Sequence, residues 1–175
     1  MQQERIHPLA YIGDLRPEDY EIFYELFTHP QLVPFLPEQA IPKSHSDAKK
    51  EIANLISKEW QGNGRYWGIY HQEELIGTVG LHTLVPADNS IEISYELHPD
   101  FWGRGIASHA AIYCIAYAKM HLLNVETIKA YTLTDNIGSH RVAEKAGFKR
   151  IGICKNDCFY HGSLIDRVLF EIQLR

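Results

Sequence analysis

The segment His98-Pro99-Asp100-Phe101-Trp102-Gly103-Arg104-Gly105-Ile106-Ala107 joins two stretches of different period. Upstream, Ser90-Ile91-Glu92-Ile93-Ser94-Tyr95-Glu96-Leu97 alternates apolar and polar residues, as a half-buried strand does. Downstream, Ile106 to Met120 is rich in Ala, Ile and Tyr and holds no Gly or Pro, which predicts a mostly buried helix. A strand therefore runs through a short glycine-containing turn straight into a helix. The first N–H groups of a helix have no partner inside it, and about half a positive charge gathers there. Such a turn suits a phosphate. The small residues Gly103, Gly105 and Ala107 let one come close to the backbone.

Taken alone, the turn leaves two readings open: glycines that only make a bend, and a phosphate cradle. A Walker-type loop is disfavoured because no Gly-Lys-Ser/Thr follows. A Rossmann turn is weak too. Ser108 stands where a third Gly or Ala belongs, and Glu126 falls before the next strand rather than at its end.

The following segment narrows the choice. Thr127 to Thr134 reads as a strand, and Asp135-Asn136-Ile137-Gly138-Ser139-His140-Arg141-Val142-Ala143-Glu144-Lys145-Ala146-Gly147-Phe148 follows it. The order is strand, Gly-x-Gly-x-Ala turn, helix, strand, Asn-x-x-Ser, short helix, Glu-Lys-x-Gly-Phe. This resembles the GCN5-related N-acetyltransferase superfamily. Within it, the chain is most similar to the branch that acetylates the N-termini of ribosomal proteins, together with that branch's small-molecule relatives. The resemblance runs from about Ile69 to the end, and more loosely over the N-terminal helices. Three positions depart from the pattern. Trp102 stands where the superfamily usually has Gln or Arg, although Trp is common in this branch. His109 stands where the branch often has Glu. Ala143 stands where many members carry a Tyr general acid.

The 175 residues, 45% of them hydrophobic, predict one domain spanning 1–175. A net charge of −5 argues against nonspecific binding to nucleic acid or to an anionic membrane. An odd cysteine count (Cys114, Cys154, Cys158) without a signal-like start predicts a reducing, cytoplasmic setting. No apolar run approaches a membrane span.

Along the chain, Leu9 to Asp14 is expected as an edge strand. Arg16-Pro17-Glu18-Asp19 opens a helix with Tyr20, Phe23, Tyr24 and Phe27 on its apolar face. Pro30, Pro34, Pro37 and Pro42 break the chain into a loop that could cover an acceptor with Phe35 and Leu36. A second helix runs from Ser46-Asp47 to about Trp60, with Ile52, Leu55, Ile56 and Trp60 on one face, before a turn at Gln61-Gly62-Asn63-Gly64. Strands at Arg65–His71 and Leu75–Leu84 flank a turn at Gln72-Glu73-Glu74. Pro86-Ala87-Asp88-Asn89 turns into the strand at Ser90. Lys149–Phe159 and Ser163–Leu174 form a closing hairpin around His161-Gly162. This is an α/β fold with a mixed sheet. The resemblance adds a mostly antiparallel sheet whose fourth and fifth strands splay apart to admit the pantetheine arm of acetyl-CoA.

The resemblance also implies the site. Backbone N–H groups of Gly103, Arg104, Gly105, Ile106 and Ala107, bordered by Trp102 and Ser108, would hold the pyrophosphate. Leu97 and its neighbours would pair with the pantetheine amides. Asn136 would contact coenzyme A, its other reading being a helix cap. Ser139 would stand near the thioester sulfur as its proton donor, or serve only as a cap. Glu92, on one strand face with Ser94 and Glu96, would take the proton of the amine; the alternative is a solvated strand face. Glu96 is the reserve base. His82 is either an acceptor-site residue or an ordinary surface histidine. Cys154-x-x-x-Cys158 with His161 matches no common zinc spacing, so no metal is expected. Cys114 is expected in the core. Asp166 matches an acidic residue of the branch's last strand and would frame the site, and Lys155 stands where the branch often has Arg.

The expected function is transfer of acetyl from acetyl-CoA to a primary amine, by a monomer or homodimer. A protein N-terminus and a small amine such as an amino sugar, polyamine or antibiotic both remain open as acceptors. A coenzyme-binding module without catalysis is the reading from another class.

Overall fold

The structure, a computed structural model, describes residues 3–60 and 64–175, with the side chains of 58–60 left aside. The expected turn at Gln61-Gly62-Asn63 and the Trp60 side chain lie outside the described residues. Twelve elements follow one another: β1 (Glu4–His7), β2 (Ala10–Asp14), α1 (Tyr20–Phe27), α2 (His45–Trp60), β3 (Gly64–His71), β4 (Glu74–Val85), β5 (Ser90–Leu97), α3 (Ile106–His121), β6 (Thr127–Leu133), α4 (Ile137–Lys145), β7 (Lys149–Tyr160) and β8 (Ser163–Gln173). The strands form one sheet in the order β1-β2-β3-β4-β5-β6-β8-β7.

Every neighbouring pair is antiparallel except β5–β6. A parallel pair needs a long crossover, and α3 supplies it. That parallel ladder is short. It pairs Ser90 with Thr127, Ile91 with Ile128 and Glu92 with Lys129, and then stops. Beyond it, β5 continues to Leu97 and β6 to Leu133 with no pairing between them, so the two strands splay as expected.

The sheet separates two apolar layers. On one face α3 packs through Ile106, Ala110, Ala111, Cys114, Ile115 and Ala118 against Trp67, Ile69, Val79, Leu81 and Ile93. The alanines keep α3 close to the sheet, and its apolar residues on several faces explain why the sequence reads as a buried helix. On the other face α1 and α2 cover Tyr70 and Leu75 with Phe23, Leu26, Phe27, Ile52 and Leu55.

Two expectations need correction. The Leu9–Asp14 strand begins at Ala10 and is not an edge, because polar residues Glu4–His7 pair outside it as β1. A short polar strand is a common way to blunt a sheet edge. The strands expected as fourth and fifth are thus β5 and β6. The helix expected from Pro17 also starts as a 3-10 turn over Pro17–Asp19, where Asp19 accepts from the Arg16 backbone N–H at 3.0 Å, before α1 begins at Tyr20. Among the described residues no helix is long and apolar enough to cross a membrane.

Candidate active site

The turn after β5 begins with a 3-10 turn at Pro99–Phe101, and Trp102 then reaches back: its Nε1 donates to the Leu97 carbonyl oxygen at 2.6 Å. One acceptor site expected for a pantetheine amide is therefore taken by the protein itself. Gly103 and Gly105 have φ of +75° and +87°, which a side chain rarely tolerates. A Cβ on Gly103 would meet nothing within 4 Å, and one on Gly105 nothing nearer than His109 Nδ1 at 3.8 Å. The space in front of both is open. Gly105 is the first flanking residue of α3, and no side chain caps that helix. The helical ladder starts with His109 N–H donating to Gly105 O at 3.1 Å, so the N–H groups of Ile106, Ala107 and Ser108 lie ahead of it. Ile106, Ala107 and Ser108 have buried side chains, whereas Arg104 is exposed and its guanidinium lies 5.6 Å from the Phe101 ring centre.

The residues expected to meet the thioester come from the far side of the gap. Asn136 is the cap of α4, its side-chain oxygen accepting from Ser139 N–H at 3.1 Å. Ser139 is not the cap but the third residue of the helix. Its Oγ lies 3.0 Å from the Tyr95 hydroxyl, which also donates to the Ser139 carbonyl at 3.1 Å. Tyr95 belongs to the apolar face of β5, as the alternation predicts, yet its hydroxyl spans the gap to α4. Burial pushes this phenol up to about 12, so it remains a donor.

A cavity of about 330 Å³ opens at this point. Its floor comes from Ile93 to Glu96 of β5 and Ala130 to Leu133 of β6. Thr78 and His82 of β4, Tyr66 of β3 and Glu51 of α2 form one side. Phe23, Phe27, Phe35, Leu36 and Pro37 cover it. Tyr160, at the tip of the β7–β8 hairpin, donates its hydroxyl to the Pro34 carbonyl and ties the proline loop down. Phe35, Leu36 and Pro37 of the loop expected as a cover line the cavity. The loop also leans on the glycine turn, since Phe35 meets Trp102 edge-on at 6.3 Å and His29 meets His98 at 5.0 Å.

Glu92, Ser94 and Glu96 are half-buried and all line this cavity, as do Ile93 and Tyr95 between them. Burial is the largest influence on the Glu96 carboxyl and pushes it up to about 7. The 2.7 Å hydrogen bond from Thr78 Oγ1 acts in the opposite direction. Glu92 is also raised by burial, with Arg167 pulling it back. His82 stacks on Tyr66 with ring centres 5.7 Å apart. Arg167 pairs with Asp157 at 2.6 Å and lies over the Tyr131 ring at 4.4 Å.

Glu92, Glu96, His82, Asn136 and Ser139 thus come together in one place. Asp166 does not join them and pairs with Lys155 at 2.6 Å. Cys114 is buried in the core and its thiol is raised by burial, while Cys154 and Cys158 are half-buried free thiols. Among the described residues no three His, Cys, Asp or Glu side chains are grouped to hold a metal ion. Sequence reasoning missed Thr78, Tyr66, Thr132 and Tyr160. Each is placed by strand register or by a long-range contact, and no local pattern marks it.

Comparison with known proteins agrees with this architecture. A family model described as an acetyltransferase (GNAT) domain matches residues 11–149. An uncharacterized N-acetyltransferase, YoaA of Bacillus subtilis (strain 168), is 27% identical over 163 residues, 92% of this chain and 91% of YoaA. The ribosomal-protein-serine acetyltransferase of Escherichia coli (strain K12) is 29% identical over 133 residues, 73% of each chain. Among solved structures, the microcin self-immunity acetyltransferase MccE, in complex with acetyl-CoA and AMP, superposes with a TM-score of 0.86 at 17% identity, over 96% of this chain and 94% of that one.

Proposed function

The chain belongs to the acetyltransferase (GNAT) family and is an N-acetyltransferase, and on that premise we propose that it moves the acetyl group of acetyl-CoA to a primary amine held in the aromatic cavity. The observation that carries this reading is the splayed β5–β6 gap, with an uncapped helix start and two positive-φ glycines after β5 and a carboxyl poised near neutrality lining the adjoining cavity. The residues fit the donor. The open space before Gly103 and Gly105 suits a pyrophosphate held by N–H groups from Gly103 to Ala107, with Ser108 in the same first turn. Trp102 flanks that group, and the pantetheine arm lies along β5 beside Leu97. Asn136 fixes the start of α4 next to the thioester.

The chemistry needs a neutral amine, because an ammonium has no lone pair. An α-amino group, with a pKa of about 8, is roughly a tenth neutral at pH 7. Glu96, titrating near 7, is better matched to this task than Glu92, since a base works best with a pKa near the operating pH. In this reading Glu92 draws the cationic amine in and Glu96 takes its proton. The nitrogen then bonds to the acetyl carbon, the carbon–sulfur bond breaks, and its electron pair leaves on sulfur. For this, Tyr95 turns its proton from the Ser139 carbonyl to Ser139 Oγ, which frees the Ser139 hydroxyl proton to donate toward that sulfur.

For the acceptor, the carboxylates and aromatic rings support an amine with an apolar body. The Tyr160–Pro34 tie narrows the entrance and favours a small amine or a flexible N-terminal segment over a folded surface lysine. Three free thiols and a ribosomal-protein acetyltransferase among the relatives support a cytoplasmic site of action. The test is an acceptor screen of N-terminal peptides and small amines, read as release of the CoA thiol. Release with at least one amine, absent without it, is expected. No amine-dependent release, although the protein binds acetyl-CoA, would leave only a coenzyme-binding module.

A further inference from the structure

The last paired residues of β5 and β6 are Glu92 and Lys129. Carrying that parallel register three residues further brings Tyr95 level with Thr132 across the gap. Tyr95 spends its hydroxyl on Ser139. Thr132 is only 6% exposed, it lines the same cavity, and its Oγ1 is buried with no hydrogen-bond partner among the described residues. A buried hydroxyl left unpaired costs about 1–3 kcal/mol, and such groups are rare in native proteins. Nothing in the fold calls for a hydroxyl here. The neighbouring positions on this face of β6 are the buried Ala130 and Ile128, and Val has nearly the same shape as Thr.

We propose that Thr132 Oγ1 donates a hydrogen bond to the sulfur of the coenzyme, and so acts as a second catalytic hydroxyl beside Ser139. The inference rests on the acetyl-CoA reading given above. A thioester sulfur is a weak acceptor, whereas the thiolate formed as the carbon–sulfur bond breaks is a charged one. Hydrogen bonds to ionised acceptors are roughly twice as strong as neutral ones. The contact therefore strengthens as charge builds on sulfur, which is the condition for lowering a barrier rather than merely binding. Thr132 keeps its proton throughout. Two protons leave the nitrogen between ammonium and amide: Glu96 takes the first and releases it to solvent after turnover, and the second, shed once the nitrogen has bonded to the acetyl carbon, balances the one the thiolate gains.

The experiment compares Thr132→Val, Thr132→Ala and Thr132→Ser. Desulfo-CoA, which lacks the sulfur, serves as the control ligand. At pH 9 most of a thiol with pKa about 8.5 is ionised. There the wild type should bind CoA more tightly than desulfo-CoA. Thr132→Val and Thr132→Ala should lose about tenfold in affinity for CoA, equivalent to about 1.4 kcal/mol, and nothing for desulfo-CoA. Their kcat should fall by a similar factor, and Thr132→Ser should keep both. The melting temperature of Thr132→Val without ligand should not fall, because the substitution removes an orphaned polar group. An unchanged CoA to desulfo-CoA ratio and an unchanged kcat in both hydroxyl-free variants would overturn the proposal. A wild type that binds neither ligand would instead bring down the acetyl-CoA reading on which it rests.

Discussion

The glycine turn follows the end of β5 and the aromatic cavity lies alongside that strand, and the two are built in opposite ways. The turn is made of backbone from ten consecutive residues, His98 to Ala107, and the groups we propose to bind the pyrophosphate are N–H dipoles fixed by the start of α3. The cavity is made of side chains from α1, α2, β3, β4, β5, β6 and the hairpin tip, and the groups we propose to act in it are a carboxyl raised by burial and the hydroxyls of Ser139 and Thr132. A backbone site needs only small residues at two positions and tolerates many neighbours. A side-chain site depends on every element that shields it. The difference teaches where each kind of damage will show: turn variants should lose donor affinity, and cavity variants should lose rate.

The largest effect expected from this contrast is in the cavity. Glu96→Gln should lower kcat/KM by about 10²–10⁴ near pH 7, leave acetyl-CoA affinity intact, and recover partly at high pH as the amine loses its own proton. Glu92→Gln should fall less. A pH–rate profile of both variants with one good acceptor checks this, and a deeper loss for Glu92→Gln would exchange their roles. Stability should move the other way. The folded Glu96 pKa, about 7, lies above the ordinary value of 4.5, so between these pH values the native state holds more protons than the unfolded one. Stability therefore falls as pH rises through that window. Glu96→Gln should remove the fall and raise the melting temperature at pH 7.5, which a pH series of thermal melts would register.

Next comes the turn. Gly105→Val places a β-branched side chain at φ +87° in the open space before the helix start. Acetyl-CoA affinity should drop by more than tenfold, over about 1.4 kcal/mol, with the circular dichroism of a folded protein. Equal calorimetric affinity would remove the pyrophosphate from this turn.

The smallest effects separate the two hands of α4. Asn136→Ala loses the cap on Ser139 N–H and should cost about 1 kcal/mol of stability, a shift of about 2–4 °C in Tm for a chain of this size. Ser139→Ala leaves that cap in place and should lower kcat by roughly tenfold, the scale of one lost hydrogen bond to a charged group. If Ser139→Ala moves only Tm, its hydroxyl serves the Tyr95 contact and not the transfer.

Much of the frame was legible in the chain. The alternation of Ser90–Leu97, the unbroken apolar run from Ile106 and the Gly103/Gly105 pair are local patterns, and each appears at the expected residues. The β7–β8 hairpin around His161-Gly162 was legible for the same reason. Glu4–His7 was missed because its pairing partner, not its own composition, makes it a strand. Ser139 was placed near the thioester but given a possible capping role that Asn136 holds instead, since a cap depends on which residue first takes helical dihedrals.

What the sequence determined by itself is the order of elements from β2 onward, the α/β class and the phosphate-suited turn, because these follow from periodicity and from the dihedrals that glycine allows within a few consecutive residues. What only the tertiary structure decided is the working order within the site. We assign the base to Glu96 over Glu92 because Glu96 is the more deeply desolvated of two carboxyls on the same strand face. Tyr95 reaches Ser139 because β5 and β6 part after Glu92. Among the described residues Thr132 Oγ1 has no hydrogen-bond partner, because Tyr95, level with it across the gap, bonds to Ser139 instead. Desolvation and register are sums over residues far apart in the chain, and no local pattern carries them.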